Sequence, residues 1–579
     1  MVFNMKGADD TAIEVSLPPH HVLYGSTIYF AGTGASLIPL CSPPVLVTSK
    51  AHNAEGREGH SLVVEFESNG RNYSLTIGAE QLHDNPRKLL QMLSAKGIDI
   101  APANGKQFIN YLFEASKLPE LPITLLLRRN GFVRDDLVFV CKDKVFQVDS
   151  DSRRFLVQPP NQQFAKGVYS SGTFEDYAEK LLSQLTSEPL KFALMAALAA
   201  PLSDLIGMEG GGFHYCGASG CGKSTLLQVG ASVFGSGADP CDGTSETSIN
   251  SWNRSTNSFD SVLPLHSGMG HFFDELGARR DRSLGTALYG LLSGKPKDRM
   301  QGDLSLSDQE TSSVFVFSSG EISVLQKVAQ EGETIKAGIS ARLASIPLEP
   351  SDLVEEGEST LDTAKRMTEI KQLCSEYFGV LGPEYIELFI NSEIFEGSSE
   401  KAQDFVRNIV EEVNERFQNL PKNAVQMRAM KRFSLVLAAG IIARNMGLLG
   451  WEEDEMESSV RFMIERWLQA FDQTKTDIDR AIDGLRDYLR QQYHAFAESG
   501  DHSHRGTVSG YKHNGLILLL PQTFDRLCLD CQPIQVLKEL KKLGFLKHEE
   551  DKLKWRTSIP IAPGRQRYVA IDQRFLEQD

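Results

Sequence analysis

The 579-residue chain is poor in three things. Its eight cysteines are too sparse for a disulfide scaffold, and they read as those of a reduced, cytoplasmic protein. It is short of basic charge: 60 Lys plus Arg against 76 Asp plus Glu leave a formal net charge of -16. That balance excludes a polyanion binder working by bulk attraction, so any contact with nucleic acid must use local basic patches. It also lacks a long apolar run. The longest near-apolar stretch, Phe192 to Met208, is interrupted by Pro201 and Asp204. It falls short of the ~20 residues that cross a bilayer, so a buried helix and no membrane partner are expected. The opening residues, Met1 to Asp10, show no basic segment followed by an apolar one, so no signal peptide is expected. There is no internal repeat and no low-complexity tract.

What remains is ordinary globular composition, 41% hydrophobic and 23% charged. At roughly 100–200 residues per domain the length suggests about three to five domains. Residues 1–158 alternate in short β-like runs. Ser61–Glu67 and Arg71–Ile77 flank Asn69-Gly70, a hairpin signal. Pro86–Lys96 reads as an amphipathic helix stopped by Gly97. This part is expected to be an α+β accessory domain, followed by a Pro- and Gly-punctuated linker from Pro159 to Gly172. Residues 173–350 alternate helices, short strands and Gly-rich loops, the α/β pattern. Residues 351–498 are helical in period, with Val460, Met463, Ile464 and Trp467 forming a core-facing stripe. A polar break containing His502 and His504 precedes a last domain, 509–579.

The strongest chemical signal is Gly217-Ala218-Ser219-Gly220-Cys221-Gly222-Lys223-Ser224, a full match to G-x-x-x-x-G-K-[ST], between the β-like run Gly212–Cys216 and a helical run beginning at Thr225. Glycines let backbone N–H groups wrap a phosphate, and the new helix aims its positive dipole end at it. Lys223 is expected on the β/γ-phosphates of ATP, and the Ser224 hydroxyl on Mg²⁺. Gly270–Glu275 supplies an apolar run ending in adjacent acids: Asp274 to hold Mg²⁺ through water, Glu275 to polarise the attacking water. A third run, Ser313–Phe317, ends in Ser318-Ser319, either of which can sense a γ-phosphate or simply make a turn. Arg342, about two dozen residues on, suits a finger acting in a neighbouring subunit's site, or a surface ion pair. Lys295, Lys297 and Arg299 lie among Gly and Pro, a loop that either contacts DNA phosphates or is merely solvated.

These residues, together with Trp252, Thr256 and Ser293-Gly294-Lys295, resemble the DUF927 family, which includes MCM-like helicases of staphylococcal cassette chromosome elements and related mobile-element replication proteins. The resemblance runs over about residues 60–350. It implies an AAA+ ATPase assembled as a hexameric ring that translocates on single-stranded or forked DNA, with Lys223 and Ser224 as the Walker A pair, Asp274 and Glu275 as the Walker B pair, Ser319 as sensor and Arg342 as finger. It places Lys295–Arg299 where such proteins carry a pore-facing hairpin. The chain departs from the pattern in its short, His271-containing Walker B strand and in Ser rather than Asn at the sensor. No primase-like segment is evident, so a separate primase or polymerase is an expected partner.

Residues 509–579 hold seven Lys and five Arg against nine acids. Ile534–Leu543 reads as a helix with Val536, Leu537, Leu540 and Leu543 on one face and Lys538, Lys541 and Lys542 on the other. A hairpin ending in Gly564–Ile571 follows, with Arg565 and Arg567. That order is a winged-helix pattern, whose basic helix and wing contact DNA or a protein partner. Cys528-Leu-Asp-Cys531 has no second ligand pair at finger spacing, so a core pair is expected rather than zinc. The expected architecture is thus α/β: an AAA+ P-loop core with an N-terminal α+β domain, an all-helical region and a C-terminal winged helix. Two functions stay open. One is an ATP-driven DNA helicase; the other is a P-loop switch in defence or regulation that assembles on ATP without unwinding.

Overall fold

The computed structural model describes the chain apart from residues 1, 7–11, 33–35, 55–58, 134, 159–165, 242–245, 254–265, 280–283, 293–313, 332–336, 474–476, 501–509, 529–530, 550–551, 561–565 and 578–579. The candidate DNA-contacting residues Lys295, Lys297, Arg299 and Arg565 lie outside the described residues, as do Thr256, His502 and His504.

The N-terminal part is built on a five-stranded sheet in the order Arg154–Val157, Ile123–Leu127, Leu46–Asn53, Ser61–Ser68, Arg71–Gly78. Its hairpin closes at Asn69-Gly70, both in the left-handed region (φ 53° and 72°), which is the twist a tight two-residue turn needs. Helices Pro86–Ala95 and Gly105–Ala115 cover one face and bury Leu89, Leu93, Phe108 and Leu112.

The centre is a parallel sheet. Its strands are β1 (Gly211–Cys216), β2 (Ile249–Ser251), β3 (His271–Asp274), β4 (Phe315–Gly320) and β5 (Leu343–Pro347). Their spatial order is β2-β3-β4-β1-β5, every pair parallel. The strands are near-continuously apolar because both faces are covered. Covering them are α1 (Glu188–Leu205), α2 (Lys223–Ser232), α3 (Leu284–Leu292), α4 (Val324–Gln330) and α5 (Ala337–Arg342). The run read as a buried helix is α1, buried almost all round. No helix among the described residues is long and apolar enough to cross a membrane.

A helical layer follows: α6 (Thr360–Glu376), α7 (Leu381–Ile390), α8 (Ser399–Arg416), α9 (Ala424–Asn445) and α10 (Glu453–Gln473). α9 starts at Ala424, well before its most apolar stretch, Leu435–Ala439. The Asn423 side chain caps it, accepting the Gln426 N–H at 2.9 Å, and Gly447 (φ 78°) follows its end. Val460, Met463, Ile464 and Trp467 are buried, as their spacing predicts. They share one core with α1, α9 and the central sheet.

Two sequence boundaries do not coincide with the packing. Phe132, Leu137, Phe139 and Cys141, expected in the N-terminal domain, are buried in the central core, where the Asp204 carboxylate of α1 accepts the Phe132 N–H at 2.7 Å. The helix α11 (Asp477–Gln492), expected with the helical region, buries Ala481, Ile482, Leu485 and Leu489 in the C-terminal core. In both places burying an apolar face outweighs nearness in sequence.

The C-terminal part contains α11, α12 (Pro521–Leu527) and α13 (Pro533–Lys542) around a sheet. In that sheet Trp555–Thr557 pairs antiparallel with Gln566–Asp572. On α13, Val536, Leu537 and Leu540 are buried. Leu543, expected beside them, is 46% exposed because the helix ends at Lys542 and Leu543 is its cap.

Candidate nucleotide-binding site

The glycine loop follows β1 directly and ends in the first turn of α2. Its glycines answer specific steric demands. Gly222 caps the helix in the left-handed region (φ 83°), and a Cβ there would collide with the Leu353 side chain. A Cβ on Gly217 would collide with the Leu348 carbonyl. The crest, Ala218, Ser219 and Gly220, is exposed, whereas Cys221, Lys223 and Thr225 are buried. The Lys223 ammonium donates to the carbonyls of Gly217 and Ala218, both at 2.8 Å, and lies 3.8 Å from the Cys221 sulfur. Among the described residues no carboxylate pairs with it. A buried cation answered only by neutral oxygens is the electrostatic half of an anion site.

The acids stand at the end of β3, one strand beyond β4. The Ser319 hydroxyl donates to Asp274 Oδ1 and accepts the Glu275 N–H at 3.1 Å. Glu275 occupies the left-handed region (φ 57°), uncommon for a side chain that size, and its carboxylate accepts the Gly277 N–H at 3.1 Å. Side chains alternate along a strand, so Ser318 faces the other way. There it joins a buried side-chain arrangement. Trp252 Nε1 donates to Ser318 Oγ at 2.8 Å, Ser318 lies 2.8 Å from His214 Nδ1, and His214 Nε2 lies 2.9 Å from the Ile322 carbonyl. A carbonyl only accepts, so Nε2 carries the proton and Nδ1 accepts from Ser318. Burial pushes the His214 imidazole down to about 4, which keeps it neutral. A histidine inside an apolar strand run is the one hint the sequence offered.

Ser224 follows Lys223 on α2, and hydroxyl and carboxylate oxygens such as those of Ser224 and Asp274 are the hard donors Mg²⁺ takes. Arg342 is elsewhere. It ends α5 immediately before β5, whose Leu343 is level with Gly212 while Pro347 is level with Cys216. Arg342 therefore sits at the opposite end of the sheet from its own glycine loop. Its guanidinium pairs with Glu209, Nε to Oε1 at 2.7 Å, and lies 5.4 Å from the Tyr289 ring centroid. Glu209 also accepts from Arg428 Nε at 2.8 Å. Burial works to raise the Glu209 carboxyl, but the two arginines outweigh it and hold the group below its usual range. The fully buried Arg432 donates to the carbonyls of Ala341, Glu209 and Gly210 at 2.6, 3.2 and 3.1 Å. Burial lowers its guanidinium to about 10.

On the C-terminal part, Lys538, Lys541 and Lys542 are exposed on α13, with Lys542 2.9 Å from Glu539, and Arg567 is exposed on the strand paired with Trp555–Thr557. Cys528 is buried in that part's core and Cys531 half-buried at its edge.

Fold and site together define a mixed α/β protein whose parallel sheet presents a glycine loop and an acid pair at one end. Residues 27–304 match the family described as "Domain of unknown function (DUF927)". The match begins earlier than the sequence resemblance and ends before the strand bearing Ser319. No curated protein matches the chain. Among solved structures, one described as "SCCmec type IV Cch - active helicase" superposes with a TM-score of 0.69 at 17% identity, covering 96% of this chain and 98% of that one. The two therefore share a fold. A structure of the NrS-1 C-terminal region aligns over 71% of this chain and 90% of its own, at 10% identity and a TM-score of 0.24.

Proposed function

We propose that the chain is an ATP-dependent DNA helicase or translocase of a mobile element or phage. On this reading residues 173–350 form an AAA+ core, working as a ring of copies, residues 351–498 its helical region with α11 packed on the C-terminal part, and residues 1–158 an accessory domain whose Phe132–Cys141 stretch packs into the core. Residues 509–579 are a winged helix that contacts DNA through Lys538, Lys541, Lys542, Arg565 and Arg567. The observation that carries the reading is the buried ammonium of Lys223, which among the described residues is held by two loop carbonyls and the Cys221 sulfur, with no carboxylate, beneath an exposed loop crest. The fold shared with a solved helicase supports it.

ATP binds with its β- and γ-phosphates on Lys223 and the N–H groups of the Gly217–Thr225 loop, displacing the carbonyls that hold the ammonium now. Ser224, and Asp274 through water, would hold Mg²⁺, which would supply charge neutralisation. Glu275 takes the proton of the attacking water once its carboxylate leaves the Gly277 N–H. Ser319, between the acids and the P-loop strand, orients Asp274 and is the γ-phosphate sensor. Arg342 serves the neighbouring copy's site, since its own lies at the far end of the sheet. Lys295, Lys297 and Arg299 contact the translocated strand.

The test is ATP hydrolysis stimulated by single-stranded DNA, measured with strand displacement on forks of both polarities. Displacement on one polarity supports the helicase. Robust hydrolysis with no displacement on either fork moves the assignment to an ATP-dependent switch.

A further inference from the structure

A cavity lies far from the glycine loop. It is a groove of about 670 Å³ between α8, α9 and the turn before β1. Its floor is apolar, with Val410, Phe417 and the 61%-exposed Met427, and its rim carries Arg407, Arg428 and Lys431. Cations outnumber the two acids present, Glu209 and Glu411, and Glu209 is already claimed by Arg342 and Arg428. Lys431 makes no ion pair among the described residues.

A complementary surface exists on the same chain, at the other end of the sheet. After β5 the chain passes the glycine loop, where Leu353 touches Gly222, and runs through residues 354–362. That segment holds Glu355, Glu356, Glu358 and Asp362 and two exposed apolar side chains, Val354 (38%) and Leu361 (65%); Arg366 pairs with Glu355 and Glu358, and Lys365 with Asp362, so its unclaimed charge is that of Glu356. Glu356 is exposed and unpaired among the described residues. β5 itself separates the two surfaces: Arg342 and the groove lie before it, the acidic segment after it, about 16 Å of strand away. A chain cannot fill its own groove, but a head-to-tail neighbour can.

We propose that the basic, apolar-floored groove of one copy receives the acidic segment 354–362 of the next, with Val354 and Leu361 on the Met427–Phe417 floor and Glu356 against Lys431. This rests on the reading that Arg342 acts in the neighbour's site, and it supplies the register for that action. The groove and Arg342 are tied through Glu209, and the acidic segment abuts the glycine loop, so docking one positions the other. When Arg342 leaves Glu209, Arg428 stays on that carboxylate, so no acid is stranded without a cation.

The experiment uses the full chain with a non-hydrolysable ATP analogue and reads assembly by particle mass against concentration. Lys431→Glu and Glu356→Lys are both surface changes outside the nucleotide site. Each alone is expected to raise the half-assembly concentration about tenfold or more. The double variant, and an equimolar mixture of the two singles, are expected to return toward wild type, because every contact between the two different singles pairs opposite charges and an alternating assembly contains only such contacts. Thermal melting of each single checks that the fold is intact. Singles that assemble like wild type overturn the docking and leave the groove to another partner. The ring reading then still stands if Lys223→Ala and Arg342→Ala subunits complement each other. Singles that are weakened but not rescued by the swap also overturn it. A wild-type chain that stays monomeric with nucleotide bound overturns docking and ring together.

Discussion

Lys223 concentrates the chemistry at the scale of one residue. Its ammonium is buried, held by two carbonyls with no carboxylate partner among the described residues, a position that a phosphate improves and a neutral ligand does not. Lys223→Ala should therefore abolish ATP turnover and weaken nucleotide binding by tenfold or more, about 1.4 kcal/mol at least. Isothermal titration and a phosphate-release assay check this, and an unchanged rate would refute the site. His214 makes a different prediction. Its imidazole is held neutral by burial, at about 4 against 6.5 for a free histidine. The folded state thus binds fewer protons than the unfolded one between these values, so stability is full above pH 6.5 and falls as pH drops toward 4. The loss amounts to at most about 3 kcal/mol. Denaturant midpoints at pH 7.5 and 5 should show it, and His214→Gln should show a shallower fall on top of a lower starting stability.

At the scale of elements, β5 is the informative strand. Five residues long, it runs from just after Arg342, the last residue of α5, to the approach to the glycine loop. Arg342→Ala should leave nucleotide binding intact and lower turnover by about 10³-fold or more in the assembled protein. Mixing it with Lys223→Ala should restore part of the activity, because one subunit then supplies the finger and the other the intact loop. No recovery on mixing would return Arg342 to a structural ion pair with Glu209. The α13 helix offers a second test. Replacing Lys538, Lys541 and Lys542 by Ala should weaken DNA binding about uniformly across sequences and reduce the salt slope by roughly one for each phosphate no longer neutralised. Fluorescence anisotropy over a salt series measures it, and an unchanged slope assigns this face to a protein partner.

For the whole molecule, the acidic balance of -16 and the exposed lysines of α13 belong together. A net charge this far below zero makes copies repel one another, so the proposed DNA contact falls to local cations. The particle mass should rise to that of a ring, six copies on the family resemblance, only when an ATP analogue is present. The same measurement on Lys223→Ala should show no such rise, or a rise only at higher nucleotide.

What the sequence by itself determined is everything held within a few residues along the chain. The turn at Asn69-Gly70, the glycine loop opening α2, the acids ending β3 and the stripe from Val460 to Trp467 need only local sterics and period. What the tertiary structure decided is everything that depends on strand order. Placing β4 between β1 and β3 brings Ser319 to Asp274 and Ser318 to His214 and Trp252, pairings that span 45 to 104 positions and leave no spacing rule to read. The same order puts Arg342 at the end of the sheet away from its own loop. Packing moved Phe132–Cys141 and α11 across the boundaries that composition suggested, because an apolar face goes wherever it sheds most water, irrespective of its neighbours in sequence.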